Sequence, residues 1–93
     1  MVKRELSIEV KNNEYYSNIF DVITSVKDKE FDLIKLELKY VYTDNELIRG
    51  GNRVMELGLE FQGIQNNITK EQVNNFMDRV IDVLTNNLDV KLR

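Results

Sequence analysis

The stretch GGNRVMELGLEFQGIQNNITKEQVNNFM, residues 50–77, joins a glycine-rich turn to an alternating segment and then to a capped helical segment. Met55, Leu57, Leu59 and Phe61 alternate with Val54, Glu56, Gly58 and Glu60, the period of a strand with one buried face. Thr69-Lys70-Glu71-Gln72 then has capping-box spacing, in which the Thr hydroxyl and the Gln side chain each satisfy an amide that the first helical turn leaves orphaned. Behind it Val73, Phe76, Met77, Val80, Ile81, Leu84 and Leu88 form one apolar stripe at helical spacing. A strand followed by an amphipathic helix therefore organises the second half of the chain.

Working outward, Leu6, Ile8 and Val10 alternate with Glu5, Ser7 and Glu9, so residues 5–10 read as a half-buried strand. Tyr16, Ile19, Phe20, Ile23 and Val26 make a helical stripe, with Asn12 or Asn13 as its expected cap. After the charged connector Lys27-Asp28-Lys29-Glu30, a second strand spans roughly 32–43, with Ile34, Leu36 and Leu38 alternating inward. Asp44-Asn45 and Gly50-Gly51 bracket an expected loop. Val90 and Leu92 alternate with Lys91 and Arg93 in a short last strand. The order β-α-β-β-α-β predicts an α+β, ferredoxin-like sandwich: a four-stranded antiparallel sheet with two helices on one face and the other face open. Phe20, Phe61 and Phe76 fall on the apolar stripes and are expected in the core.

The composition limits what such a domain can do. At 93 residues, 42% hydrophobic and 31% charged, the chain is long enough for one core and belongs to the globular class. It has no Cys and no His, which removes disulfides, thiol chemistry, Cys/His zinc sites and imidazole acid–base work. No apolar run approaches the ~18 residues of a membrane span, and the N-terminus has no apolar signal region, so a soluble, cytoplasmic protein with no membrane partner is expected. The net charge of −3 argues against tight binding of nucleic acid through a basic surface.

Candidate chemistry is correspondingly sparse. Glu56 and Glu60 share a strand face but stand about 13 Å apart at ~3.3 Å per residue, too far to work on one bond. Gly50-Gly51-Asn52-Arg53 leads into a strand instead of a helix N-terminus, so it does not match a phosphate-cradling loop. Asp21, Asp28 and Asp32 lack metal-loop spacing. No catalytic residue, metal site or cofactor is expected. Tyr40 and Tyr42 remain, since tyrosines on an exposed sheet face can stack on unpaired bases. Strict alternation from Leu38 turns both toward the helices, whereas a bulge near Lys39 would swing both to the open face.

These segments together resemble the ferredoxin-fold anticodon-binding domain at the C-terminus of the bacterial-type phenylalanyl-tRNA synthetase β chain. "KRELSIEV" is similar to the family's opening strand, "ELKYVYTDN" to its strand ending in Leu-Phe-Asp-Val-Tyr, and "GNRVMELGLEFQ" to its Gly-Lys-Lys-Ser-Leu-Ala-x-x-Leu-x-Phe strand. "NNITKEQVNNFMDRVIDVL" resembles the family's helix start, and Leu92-Arg93 the end of its last strand. The resemblance covers essentially all of residues 1–93 and implies one domain of a longer β chain.

It also implies a non-catalytic role within an ATP-dependent ligase whose catalytic site lies in the α chain. The implied partners are the tRNA(Phe) anticodon stem-loop, the rest of the β chain and the α chain. The family's stacking tyrosine falls on Tyr42. Its companion Asp falls on Tyr40, which loses the carboxylate acceptor, its third-strand Ser on Val54, and its small first-strand residue on Ser7. Tyr42 can face RNA only with the phase shift near Lys39. Outward acids would be Glu5, Glu9, Glu37, Glu56 and Glu60, against Lys35, Lys39, Lys91 and Arg93, a nearly neutral face. Arg49 and Arg53 are the expected backbone contacts beside Lys91 and Arg93. The alternative is a ferredoxin-like protein-interaction or dimerisation module, in which Val54, Tyr40 and Tyr42 form an apolar patch on the open sheet.

Overall fold

A computed structural model describes residues 1–64 and 67–93. The chain runs β1 (Val2–Lys11), α1 (Tyr16–Ser25), β2 (Phe31–Tyr42), α2 (Asn45–Arg49), β3 (Asn52–Gly63), α3 (Lys70–Asn87) and β4 (Val90–Leu92). The four strands form one sheet in the order β2-β3-β1-β4, with every neighbouring pair antiparallel. This is the split-βαβ arrangement expected from the sequence. Among the described residues no helix is long and apolar enough to cross a membrane.

Alternation in the two central strands sets the core. Leu6, Ile8 and Val10 of β1 and Met55, Leu57, Leu59 and Phe61 of β3 are buried against Ile19 and Ile23 of α1 and Val73, Phe76, Met77, Val80 and Leu84 of α3. Phe31, Phe61 and Phe76 meet edge to face, with ring centroids 5.2–5.8 Å apart. Phe31 lies one residue before the expected strand start, and it completes this aromatic cluster. Phe20 does not belong to it. It stays 39% exposed and packs edge-on against Tyr16, while Val22 leans on the core. A ten-residue helix on a flat sheet buries only a narrow stripe, and Ile19 and Ile23 already fill it.

The helix ends follow local hydrogen-bonding rules with one exception. At α3 the Thr69 hydroxyl accepts from the Gln72 amide at 3.1 Å and the Gln72 side chain accepts from the Thr69 amide at 2.8 Å, so the capping box is complete. Thr69→Ala should cost about 1 kcal/mol, read as a lower urea midpoint with an unchanged m-value. At α1 neither Asn12 nor Asn13 caps. Tyr15 occupies the cap position without a side-chain bond, and the Glu14 carboxylate takes the Tyr15 amide at 3.2 Å and the Asn18 side chain at 3.3 Å. Arg79 ties α3 to the charged connector through Asp28 at 2.8 Å and the Lys27 carbonyl at 3.0 Å, its guanidinium 5.3 Å from the Phe76 ring centroid.

Residues 44–51 contain a helix where the sequence suggested only a loop. The Asp44 carboxylate accepts from the Leu47 amide at 2.8 Å and caps α2, whose Leu47 is buried. Gly50 ends the helix, and Gly51, at φ 72°, takes the left-handed conformation that turns the chain into β3.

Candidate nucleic-acid interface

Strand β2 decides what the open face presents. Its pairing with β3 slips twice, between Leu33 and Lys35 and between Leu38 and Tyr40. At each slip β2 advances two residues while β3 advances one, the signature of a β-bulge. The first leaves Ile34, expected to point inward, 49% exposed, while Leu33 and Leu36 take the inward positions opposite Phe61 and Leu59. The second makes Lys39 the extra residue and reverses the phase. Tyr40 then lies opposite Glu56, Val41 opposite Met55 on the helix side, and Tyr42 opposite Val54. The bulge near Lys39 puts both tyrosines on the open face, 63% and 43% exposed.

Registers across the sheet arrange the open face in rows. Tyr40, Glu56 and Ser7 form one row, extended toward Arg93, whose amide donates to the Ser7 carbonyl at 2.9 Å. The neighbouring row is Tyr42, Val54, Glu9 and Lys91. Below the tyrosines, the rows Glu37–Gly58–Glu5 and Lys35–Glu60–Lys3 form an ion-pair lattice. Lys39 reaches Glu5 at 2.8 Å, Lys3 and Lys35 approach Glu60 at 3.4 and 3.9 Å, and Lys35 lies 3.8 Å from Glu37. The missing side chain at Gly58 makes this possible, because a Cβ there would stand 3.1 Å from the Lys39 stem. The hydrogen bond to Glu5 also holds the Lys39 ammonium above its ordinary pKa range. With Lys3, Lys11 and Asp32 added to the charges expected from the sequence, six acids face six bases, and the face is neutral.

The other candidate residues divide. Ser7 is half-buried on the open face, while Lys91 and Arg93 are exposed at its β4 edge; Arg93 is tied to Glu9 at 3.3 Å. Arg49 is exposed at the end of α2. Arg53 does not belong with them. It pairs with Val10, points to the helix side, and donates to the Glu14 carbonyl at 2.8 Å, so it braces the start of α1. The parity that placed Met55 inward already placed Arg53 there too. Val54 is on the open face but 0% exposed, so it offers no surface to a ligand. Neither it nor buried Leu47 belongs to the main core, and α2 packs on β3 from the side where Glu9, Asn52 and Arg93 line a cleft of about 310 Å³ against it. Helix α2 therefore roofs one end of the open face. Its burial of Val54 also removes the link that would have joined Tyr40, Tyr42 and Val54 in one exposed apolar patch.

Chemically, the arrangement offers two aromatic rings, a few hydrogen-bonding groups and two cations, Lys91 and Arg49, without an ion-pair partner among the described residues. Among the described residues no three of His, Cys, Asp and Glu come together in a way that would hold a metal. A family model described as the ferredoxin-fold anticodon binding domain matches residues 1–93. The β subunits of phenylalanine–tRNA ligase from two strains of Streptococcus thermophilus are each 29% identical over 92 residues, and that from Streptococcus mutans is 28% identical. Each alignment covers 99% of this chain and 11% of the relative, so the chain spans about a ninth of the length of the curated relatives it matches.

Proposed function

The chain belongs to the ferredoxin-fold anticodon-binding domain family, and from that premise we propose that it is a non-catalytic, RNA-binding domain of a phenylalanine–tRNA ligase β subunit, seating the anticodon stem-loop of tRNA(Phe) on its open sheet face. The rest of the β chain and the α chain would be its protein partners in the cytoplasm, and the ATP-dependent chemistry would be theirs. The observation that carries this reading is the bulge at Lys39, which brings Tyr40 and Tyr42 out of the helix-facing phase onto the open face. Two residues apart on one strand, they stand ~7 Å from each other, about twice a ~3.5 Å van der Waals separation, which leaves room for one base between or upon them. Ser7 supplies a hydroxyl in the Tyr40 row, and Lys91 a cation in the Tyr42 row.

The charge balance sets how the RNA is held. Most cations of the face are spent on its own carboxylates, so binding must come from stacking and base-edge contacts more than from phosphates. Titrating the 93-residue chain with a labelled phenylalanine anticodon stem-loop and a loop-scrambled hairpin tests this. Binding should favour the native loop, and log K against log salt should fall with a slope of roughly −1 to −2, as for one or two phosphate contacts. Equal affinity for both hairpins, or no binding of either at low salt, would overturn the proposal.

A further inference from the structure

The end of the sheet away from the tyrosines carries apolar surface that RNA binding does not use. Phe31 and Tyr42 are the two ends of β2, ~35 Å apart at ~3.3 Å per residue. At the Phe31 end, between the last turn of α1 and the sheet edge, opens a cleft of about 310 Å³ lined by Val26, Phe31, Leu33 and Ile34, with Lys27 and Asp32 among its polar groups. That volume is at the small end of the range for clefts that hold a ligand. The first bulge of β2 sets two consecutive residues, Ile34 and Lys35, between the inward Leu33 and Leu36. Lys35 takes the open-face position opposite Glu60, so Ile34 is the extra residue, left half exposed at the edge. Ile64, whose amide donates to the Glu30 carbonyl beside Phe31 at 3.1 Å, and Met1 are more than half exposed at the same end. Apolar residues exposed singly are ordinary, whereas a group of them beside a cleft marks a surface that meets another molecule.

The occupant follows from how little of its relatives the chain spans. It matches about a ninth of each β subunit, so most of a longer β chain would lie outside it. Strand β1 begins at this same end, with Val2 opposite Phe61, so a polypeptide running into Val2 would arrive beside Ile64 and the cleft. A neighbour tethered there meets the surface at high effective concentration, and a modest apolar area then suffices to hold it. The charges around the cleft do not call for a charged partner. Lys27, Lys29, Glu30 and Asp32 balance one another, and none has an ion-pair partner among the described residues. An apolar centre with a mixed polar rim is the anatomy of a protein–protein contact. Resting on the reading that the chain is one domain of a longer β subunit, we infer that this end is its docking surface for the remainder of the β chain, with an apolar side chain of that neighbour seated in the cleft against Ile34. Met1 and Ile64 extend the contact, and the tyrosine end stays free.

The test titrates the labelled 93-residue chain with the phenylalanine–tRNA ligase of the same organism deleted of its ferredoxin-fold segment, whose integrity is checked by phenylalanine-dependent ATP–pyrophosphate exchange. Binding should saturate, and Ile34→Asp should weaken it by roughly tenfold or more, with Ile34→Ala intermediate. Val41→Asp places the same charge on a similarly exposed residue of the same strand at the tyrosine end, and should leave docking within about twofold of the parent. Ile34→Asp should melt like the parent and keep its affinity for the anticodon stem-loop. Docking that ignores Ile34→Asp, or that is absent from a chain still binding the stem-loop, overturns this surface and leaves RNA binding standing. A chain that sediments as a dimer dissociated by Ile34→Asp gives the surface to a second copy and likewise overturns the inference. A chain that binds neither the ligase nor the stem-loop overturns the reading on which it rests.

Discussion

Phe76→Ala is expected to remove about 3–5 kcal/mol of folding stability, the largest loss from any single truncation in this core. Phe76 is the ring shared by both layers: it stands on α3, meets Phe61 of β3 at 5.2 Å and Phe31 of β2 at 5.4 Å, and lies under the Arg79 guanidinium. Truncation forfeits the transfer energy of the ring, leaves a cavity bounded by two other aromatic side chains that cannot both collapse into it, and removes two edge-to-face contacts worth ~0.5–1.5 kcal/mol each beyond burial. It also strips the cation–π support from the Arg79–Asp28 tie. A domain of this size has only about 5–15 kcal/mol to lose. Urea unfolding followed by circular dichroism should therefore show a midpoint lowered by a large fraction, with the m-value retained. Phe20→Ala is the control. That residue lies outside the core cluster and is 39% exposed, so its loss should cost clearly less, about 1–2 kcal/mol. Equal losses at the two positions would contradict the placement of the core.

The contrast between these phenylalanines marks where the sequence is readable. Strands β1 and β3 keep strict alternation because they are central and buried on one face, so parity locates every inward side chain, and the stripe of α3 is long enough for its buried face to be unambiguous. Parity failed in β2, an edge strand, because an edge can bulge without breaking a second ladder. Leu38 and Tyr40 are two apart and yet face opposite sides, and nothing in a period-2 pattern announces which residue will be extra. The apolar Val41 between two tyrosines is the local hint, since it alone competes for the inward position. Helix α2 was hidden for another reason: five residues are too few to show a period, and only the Asp44 cap three residues before Leu47 signals it. Missing α2 also hid the burial of Val54, because what covers an open face is a tertiary matter. Arg53 differs again, since its inward parity was legible, but charge argued for a surface role while the free carbonyl of Glu14 supplied an inward one.

Tyr42→Ala should weaken binding of the anticodon stem-loop by ~1–3 kcal/mol, the usual worth of one aromatic stacking partner, while its neighbour Val41→Ala should change affinity by less than about twofold. Both side chains are exposed, both sit near the end of the same edge strand, and both substitutions leave the backbone pairing with β3 intact. They differ in the face they occupy, which is what the bulge at Lys39 decides. Tyr42 also lies directly opposite Val54, so its loss uncovers part of a buried side chain; melting curves must accompany the titrations, with affinity compared where both variants are fully folded. Stacking is largely insensitive to salt, and phosphate attraction is not. The Tyr42→Ala loss should therefore persist from low to moderate ionic strength, whereas removal of Lys91 should matter mainly at low salt. Equal weakening by both substitutions would place RNA along the outer edge of β2. Weakening by Val41→Ala alone would put the ligand on the helix side, where Ser7 could not reach it.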